Sequence, residues 1–299
     1  MYSNILSALK SKLRATKFET LQKYGFANMG VNSRVYPVSV DSLASSVSVN
    51  RVDLSMSEIQ RLAAFGFSIK LNYKDYPHTK LLEYLTSIKL LELEDGDVVL
   101  DAAGGGSAEF PRYAAAYTNK DLRFICQDAR PIGDQSTCGI NVDFVSGSID
   151  NVPLGDGSLN AISCHHSFEH FNGDLDVRFI KECLRLLAPG GKLVIVPFFV
   201  SNIYAEIWNK KPVATRDRGA EVIYDWTASF PGWGPYEGFA RTYSSKMAKE
   251  RIFSVIPSGQ FEAEVYSVLL DGRACPDMNY ASYQPLVNSD MKALRIARK

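Results

Sequence analysis

The stretch VVLDAAGGGSAEF, residues 98–110, decides the fold of this 299-residue chain. Val98, Val99 and Leu100 are strand formers that run into Asp101. The glycines Gly104, Gly105 and Gly106 follow, and helical character begins near Ser107 and Ala108. A buried strand that ends in glycines lets the backbone come close to a ligand, and the helix start behind it offers unpaired N–H groups. Ligands of open α/β sheets collect at the carboxyl ends of strands, so this turn is expected to hold a nucleoside-containing cofactor.

Elements alternate on both sides of the turn. Upstream, from Pro77, Leu81, Leu82, Leu85 and Ile88 share a helical face, and Glu94, Asp95 and Gly96 close that helix. Downstream, LRFICQD (122–128), VDFVSGS (142–148), LNAISCHH (159–166) and KLVIVPFF (192–199) read as strands, the last apolar enough to be buried on both faces. Between the last two lies a helix with Val177, Ile180, Leu184 and Leu187 on one side. Asp174 or Asp176 caps it, and Pro189, Gly190 and Gly191 stop it. Strands alternating with helices imply a parallel sheet wound by right-handed crossovers. Later, Ser244 or Ser245 opens a helix carrying Ala248, Ile252, Val255 and Ile256, which Pro257 and Gly259 end. FEAEVYSVLL (261–270) and MKALRIARK (291–299) read as the final two strands.

Composition narrows the function. The formal net charge is zero, which lacks the electrostatic footprint of a nucleic-acid binder, and no apolar run is long enough to cross a bilayer. The chain is therefore expected to be cytoplasmic, with no nucleic-acid partner. Cys126, Cys138, Cys164, Cys183 and Cys275 are odd in number and scattered, as for reduced thiols. Near the N-terminus, Ile5, Leu6, Leu9 and Leu13 at helical spacing lie among Lys10, Lys12, Arg14 and Lys17. Such a helix can rest on an anionic membrane surface, or pack on the domain or on a second copy of the chain in a homo-oligomer; an organellar transit peptide is the third reading. Residues 38–57, rich in serine, read as an extended connector. The organisation expected is an N-terminal helical and extended extension (1–75) before one domain (76–299).

The glycines discriminate between cofactors. A dinucleotide fingerprint GxGxxG starting at Gly104 would need glycine at 109, where the chain has Glu109. S-adenosylmethionine has no pyrophosphate, and asks instead for a loop close beneath its methionine and ribose with carboxylates nearby.

Over about residues 78–200 the sequence resembles the class I S-adenosylmethionine-dependent methyltransferases of small-molecule type. VLDAAGGGS is similar to that family's first motif, with Asp101 at the acidic position and Gly105 at the central glycine; it departs at Ala103 and Ser107, where glycine is usual. Asp128 matches the acid on the ribose hydroxyls. GSIDNVPLGDGSLNAISCHHSFEHF (147–171) resembles the stretch around the family's fourth strand, with Ser148 and Ile149 at the adenine contact and Asp150 close enough to stand in for Ser148. The resemblance implies a Rossmann-like, seven-stranded, mostly parallel sheet with helices on both faces and an antiparallel final strand. It implies S-adenosyl-L-methionine as cofactor, held by Asp101, Ala103, Gly104, Gly105, Gly106, Asp128, Ser148, Ile149 and Cys164, with Tyr76 and Lys80 over its methionine end. Each has a plain reading too: glycines mark turns without ligands, and Asp128 can be a solvated strand end.

Three histidines cluster at 165, 166 and 170. HSFEH (166–170) matches HxxEH, which on a helix would suggest a zinc hydrolase, but its first histidine stands at a strand end, and no further acidic ligand is identifiable. No metal is expected. His165, followed by His166, is the candidate general base, since a neutral imidazole can accept a hydroxyl proton; the alternative is a ring that merely lines the cofactor pocket. Residues 201–243 hold Trp208, Trp226, Trp233, Tyr204, Tyr224, Phe230, Tyr236, Phe239 and Tyr243, interrupted by glycine and proline, and read as an irregular aromatic cap. Arg216, Arg218 and Arg241 there are candidates to receive an anionic group, and the rings to stack on an acceptor or to seal the sheet. The function expected is methylation of a hydroxyl on a small or glycan-linked acceptor. Nitrogen or carbon methylation, and an inactive cofactor-binding partner subunit, are the alternatives.

Overall fold

Val99 and Leu100 are neighbours in sequence but belong to different cores, because successive residues of a strand point to opposite faces of the sheet. The computed structural model describes residues 35–36, 38–66, 79–130, 139–208, 217–224, 239–275 and 290–299. In chain order they form β1 (Ser48–Leu54), α1 (Met56–Ala63), α2 (Thr79–Leu91), β2 (Val98–Ala102), α3 (Glu109–Thr118), β3 (Arg123–Asp128), β4 (Val142–Ser146) and β5 (Leu159–His165). Then come α4 (Leu175–Leu186), β6 (Leu187–Val196), β7 (Ala205–Trp208), β8 (Glu221–Tyr224), β9 (Phe239–Thr242), β10 (Phe261–Leu270), β11 (Arg273–Ala274) and β12 (Lys292–Arg298).

The main sheet runs β1-β10-β12-β6-β5-β2-β3-β4, with β11 added to β10. From β6 to β4 every pairing is parallel, and β12 is antiparallel to both its neighbours. This is the expected Rossmann-like sheet, with β1 and the two-residue β11 beyond the seven strands expected. Residues 48–54, read as part of a connector, form β1, which pairs in parallel with β10 (Val52 with Val268, Leu54 with Leu270) and so moves the β10–β12 pair away from the edge. The serine-rich composition hid a short alternation in which Val52 and Leu54 are buried while Arg51 and Asp53 are exposed. A capping box follows at once: the Ser55 hydroxyl accepts from Glu58 N, and Ser55 N donates to the Glu58 carboxylate, which starts α1.

Helices cover both faces. Leu62 of α1, Leu81, Leu82 and Leu85 of α2, and Phe110 and Tyr113 of α3 pack on Val99, Phe124 and Ala161. On the other face Phe179, Ile180 and Cys183 of α4, with Phe168 and Phe171, pack on Leu100, Ile125 and Ile162. The buried stripe of α4 is thus set by Phe179 and Cys183 more than by Val177 and Leu184, which are only partly buried. β6 begins directly at Leu187, so Pro189, Gly190 and Gly191 lie inside a strand. Ser244 caps the expected later helix through Met247 N, and that helix passes through a π turn at Ala248–Ile252.

The segment expected to be an irregular cap contains a second sheet, β8-β7-β9, with β7–β8 parallel and β7–β9 antiparallel. Its described aromatic rings seal a core: Trp208 packs edge-on to Phe239 at 4.9 Å, and Tyr243 stacks with Phe168, Phe198 and Tyr204. Trp226, Phe230, Trp233, Tyr236 and Arg216 lie outside the described residues, as do the N-terminal helix and Cys138.

Arg241 fastens this sheet to α4 and the segment before it. Its fully buried guanidinium meets Asp176 at 2.9 Å and Asp217 at 2.5 Å, and donates to the carbonyls of Phe171 and Gly173. Arg251 adds a second cation on Asp176 at 2.7 Å, and Tyr243 and Tyr204 donate to Asp176 and Asp217. Two cations thus face two carboxylates, a balance a buried cluster needs. Arg241 is therefore part of the interior and is not presented to an anionic ligand, contrary to the sequence expectation; Arg218 is exposed. Replacing one partner of a buried pair leaves the other charge uncompensated. Arg241→Met is expected to destabilise the chain by about 3–5 kcal/mol, read as a lowered urea midpoint. A change under about 1 kcal/mol would contradict this account.

Candidate functional site

The carboxyl end of β5 meets α2, the end of β2 lies beside it through Asp101, and Gln127 ties the end of β3 to the turn after β2. Asp101, the penultimate residue of β2, is buried; its Oδ1 lies 3.4 Å from the Ser163 hydroxyl and 3.5 Å from His165 Nδ1. Its carboxylate also lies directly over the following turn. A Cβ built on Gly104 would fall 2.2 Å from Asp101 Oδ2, so no side chain fits at 104 while Asp101 stays in place. Ala103 and Gly105 both have left-handed backbone, with φ of 52° and 72°, and so does Ala108 at the start of α3. Gly105 is the permissive residue there, and Ala103 takes the same region at a cost of about 1–2 kcal/mol.

Gln127, buried next to Asp128, latches the turn in place. Its side-chain oxygen accepts from Ala103 N at 3.0 Å, its backbone carbonyl accepts from Gly104 N at 3.1 Å, and its Nε2 donates to the Gly147 carbonyl at 2.5 Å. One residue therefore ties the ends of β2, β3 and β4 together. Asp128 accepts at Oδ1 from Arg130 N and Nε. Its Oδ2 is the one described atom within 4 Å of a Cβ built on Gly105, at 4.0 Å. The space over Gly105 is consequently bounded by the Asp128 carboxylate, which fits a diol-bearing ribose laid across a side-chain-free turn. Gly106 continues the turn, half-buried.

Ser148 is exposed and donates to Asp150, and Ile149 is buried beside it. Asp150 also pairs with Arg178 at 3.1 Å, so it is engaged in holding this loop to α4. Cys164 is wholly buried on β5, and burial pushes its thiol well up, which leaves it an apolar wall. Ser167 donates towards the carbonyls of Ala103 and His165, joining the end of β5 to the turn.

The two candidate histidines both face α2. His165 Nε2 lies 2.8 Å from the Ser87 hydroxyl, its Nδ1 faces Asp101, and its ring is boxed by Tyr84 and Phe110 with centroids at 5.0 and 4.6 Å. Both nitrogens are thus engaged in holding Asp101 and α2, which favours the lining role over the base. His166 has left-handed backbone (φ 49°), and its Nδ1 meets Glu83 Oε1 at 2.5 Å. Glu83 is fully buried on α2 and also binds Lys80 at 2.8 Å. Burial alone would raise the Glu83 carboxyl, but His166, Lys80 and His165 outweigh it and hold it down at about 2. For Lys80 burial works downward, and Glu83, with Glu169 and Asp101, carries the ammonium above its ordinary value. Tyr76 lies outside the described residues. In HSFEH, Phe168–His170 is a 3-10 turn, and His170 Nδ1 contacts the Phe239 carbonyl at 2.5 Å.

Sequence reasoning missed Glu83, Ser87 and Gln127. Glu83 and Ser87 lie on the side of α2 away from Leu81, Leu85 and Ile88, which the apolar pattern reads as a solvent face, so no sequence signal showed that both are buried.

Residues 100–195 match the family model described as a methyltransferase domain. Together with the strand order and the glycine turn, this shows a methyltransferase domain of Rossmann-like architecture within the chain. Phthiotriol/phenolphthiotriol dimycocerosates methyltransferase 1 of Mycobacterium ulcerans (strain Agy99) is 28% identical over 164 residues, covering 50% of this chain and 54% of the relative. The chain thus spans about half the length of the curated relative it matches. Among solved structures, the 1,6-didemethyltoxoflavin-N1-methyltransferase of Burkholderia thailandensis, with S-adenosylhomocysteine bound, is 14% identical with a TM-score of 0.47, over 90% of this chain and 96% of that one. The YcgJ protein of Bacillus subtilis is 22% identical with a TM-score of 0.35, over 40% of this chain and 51% of that one.

Two outcomes follow from the geometry. Gly104→Ala is expected to weaken S-adenosylhomocysteine binding at least ~10-fold by calorimetry, since the new methyl must displace the Asp101 carboxylate; unaltered affinity would show that Asp101 does not govern the turn. Glu83, depressed from 4.5 to about 2, contributes stability that is complete above about pH 4.5 and is lost as the pH falls through about 2. The difference in denaturant midpoint between the natural chain and Glu83→Gln should therefore stay constant from pH 7 to about 5 and shrink below that, whereas a gap independent of pH would contradict the ionised state of Glu83.

Proposed function

We propose that the chain binds S-adenosylmethionine over the 103–106 turn and transfers its methyl group to a hydroxyl of a small-molecule acceptor. The observation that carries this reading is the fit between Gly105 and Asp128: a side-chain-free, left-handed turn residue whose open side is bounded by a buried carboxylate. Asp128 would accept the ribose hydroxyls, Ile149 would wall the adenine with Ser148 beside it, and Ala103, Gly104, Gly106 and Cys164 would line the methionine end under Asp101 and Lys80. When bound, S-adenosylmethionine supplies an electrophilic methyl group on a positively charged sulfur.

The chain's own contribution is then placement, exclusion of water and proton removal. His166 is the base this reading favours over His165. An ionised Glu83 can only accept, so Nδ1 of His166 carries the proton and the lone pair of the neutral ring lies on Nε2. An imidazole in that form takes up the proton that a hydroxyl loses as its oxygen attacks. The Mycobacterium ulcerans relative is named for phthiotriol and phenolphthiotriol substrates, which supports an oxygen acceptor.

The full chain should be titrated with S-adenosylmethionine by calorimetry. It should then be supplied with labelled methyl donor and a panel of catechol, methyl glucoside, UDP-glucose and, as a nitrogen acceptor, aniline. Binding that Gly105→Val abolishes, and label on a hydroxylated acceptor that His166→Ala lowers by about 100-fold or more, are the expected results. Undiminished binding by Gly105→Val would overturn the site, and label on aniline alone would overturn the oxygen acceptor.

A further inference from the structure

Successive side chains of a strand point to opposite faces, yet His165 and His166 both reach α2. The left-handed φ of 49° at His166 breaks the alternation. Such backbone is uncommon outside glycine and persists where surrounding contacts over-determine it. Those contacts come from one face of α2, where Glu83 and Ser87, four residues and one turn apart, take His166 and His165 respectively. The backbone of His166 is fixed from the other side, since its N–H donates to the Val196 carbonyl on β6 at 3.1 Å.

We infer that Glu83 is the positioning residue of this site: its buried carboxylate holds the His166 ring in the Nδ1–H form and turned towards the end of β5, which sets the basicity of Nε2. The inference deepens the proposed function and rests on it for the role of His166, but the Glu83–His166 pairing can be tested without turnover. The titratable groups around Glu83 are Lys80 on its own helix and His165 and His166 at the end of β5; Asp101 of β2 and Glu169 of the 168–170 turn face Lys80. An anion at 2.5 Å favours the imidazolium, so the carboxylate raises the affinity of His166 for a proton, and removing it leaves the Lys80 cation to lower that affinity further.

The chain has four histidines, so their ring carbon signals can be resolved by NMR in the full protein with S-adenosylhomocysteine added, with His166→Asn assigning the resonance. In Glu83→Gln the His166 midpoint is expected to fall by about one to two pH units while His170 stays in place. An unmoved or raised midpoint overturns the inference. If Glu83→Gln does not fold, Glu83→Asp, which lengthens the gap and keeps the charge, should give a smaller fall, with the same contrary result. Where label reaches a hydroxylated acceptor, the acid limb of kcat should move down with the NMR midpoint and KM should change less than about threefold; additive losses in Glu83→Gln/His166→Ala would overturn the pairing. A shifted midpoint with no transfer to any acceptor leaves this inference standing and overturns the proposed function instead.

Discussion

A carboxylate buried at the end of a strand needs donors, and Asp101 finds them in Ser163 and His165 on the neighbouring strand. In that position it lies so close over Gly104 that the turn admits no side chain there. The bare turn is therefore imposed by the packing of Asp101 and does not depend on a ligand to hold it open. Gln127 then fixes the turn laterally, and Ser167 fixes it from β5. A small set of side chains thus joins the ends of β2, β3, β4 and β5 into one edge.

α2 completes that edge from above. Most of its residues are buried, which is unusual for a helix of thirteen residues with polar groups among them. The polar groups are resolved in pairs: Thr86 bonds back to the Leu82 carbonyl, Ser87 takes His165, and Glu83 takes His166 and Lys80. On the other side of the main sheet the Asp176–Arg241–Asp217–Arg251 cluster fastens the smaller sheet to α4. Both polar interiors are balanced in charge or hydrogen bonding. They differ in what they hold: one fastens the smaller sheet, the other holds two histidines at a strand end.

The parallel strands were legible because each is a short apolar run bounded by turn residues, and the glycine turn because Asp101 and the glycines stand at a strand end. β1 was not, since an edge strand buries only alternate residues and Val52 and Leu54 stand among polar neighbours. The small sheet was hidden by the glycine and proline around its strands. Arg241 was misread because a single cation in an aromatic segment gives no sign of the two carboxylates that sequence separation brings to it. His165 and His166 were singled out by their position after a strand, but the partner each ring nitrogen meets is set by α2, far away in the chain.

The central claim is that the open side of Gly105, bounded by Asp128, receives the nucleoside of S-adenosylmethionine. A crystal structure of the full chain grown with S-adenosylhomocysteine tests it most directly. The account predicts ribose hydroxyls within hydrogen-bond distance of the Asp128 carboxylate and the homocysteine chain beside residues 103–105. Ligand density elsewhere, with the turn covered by protein side chains, would contradict it.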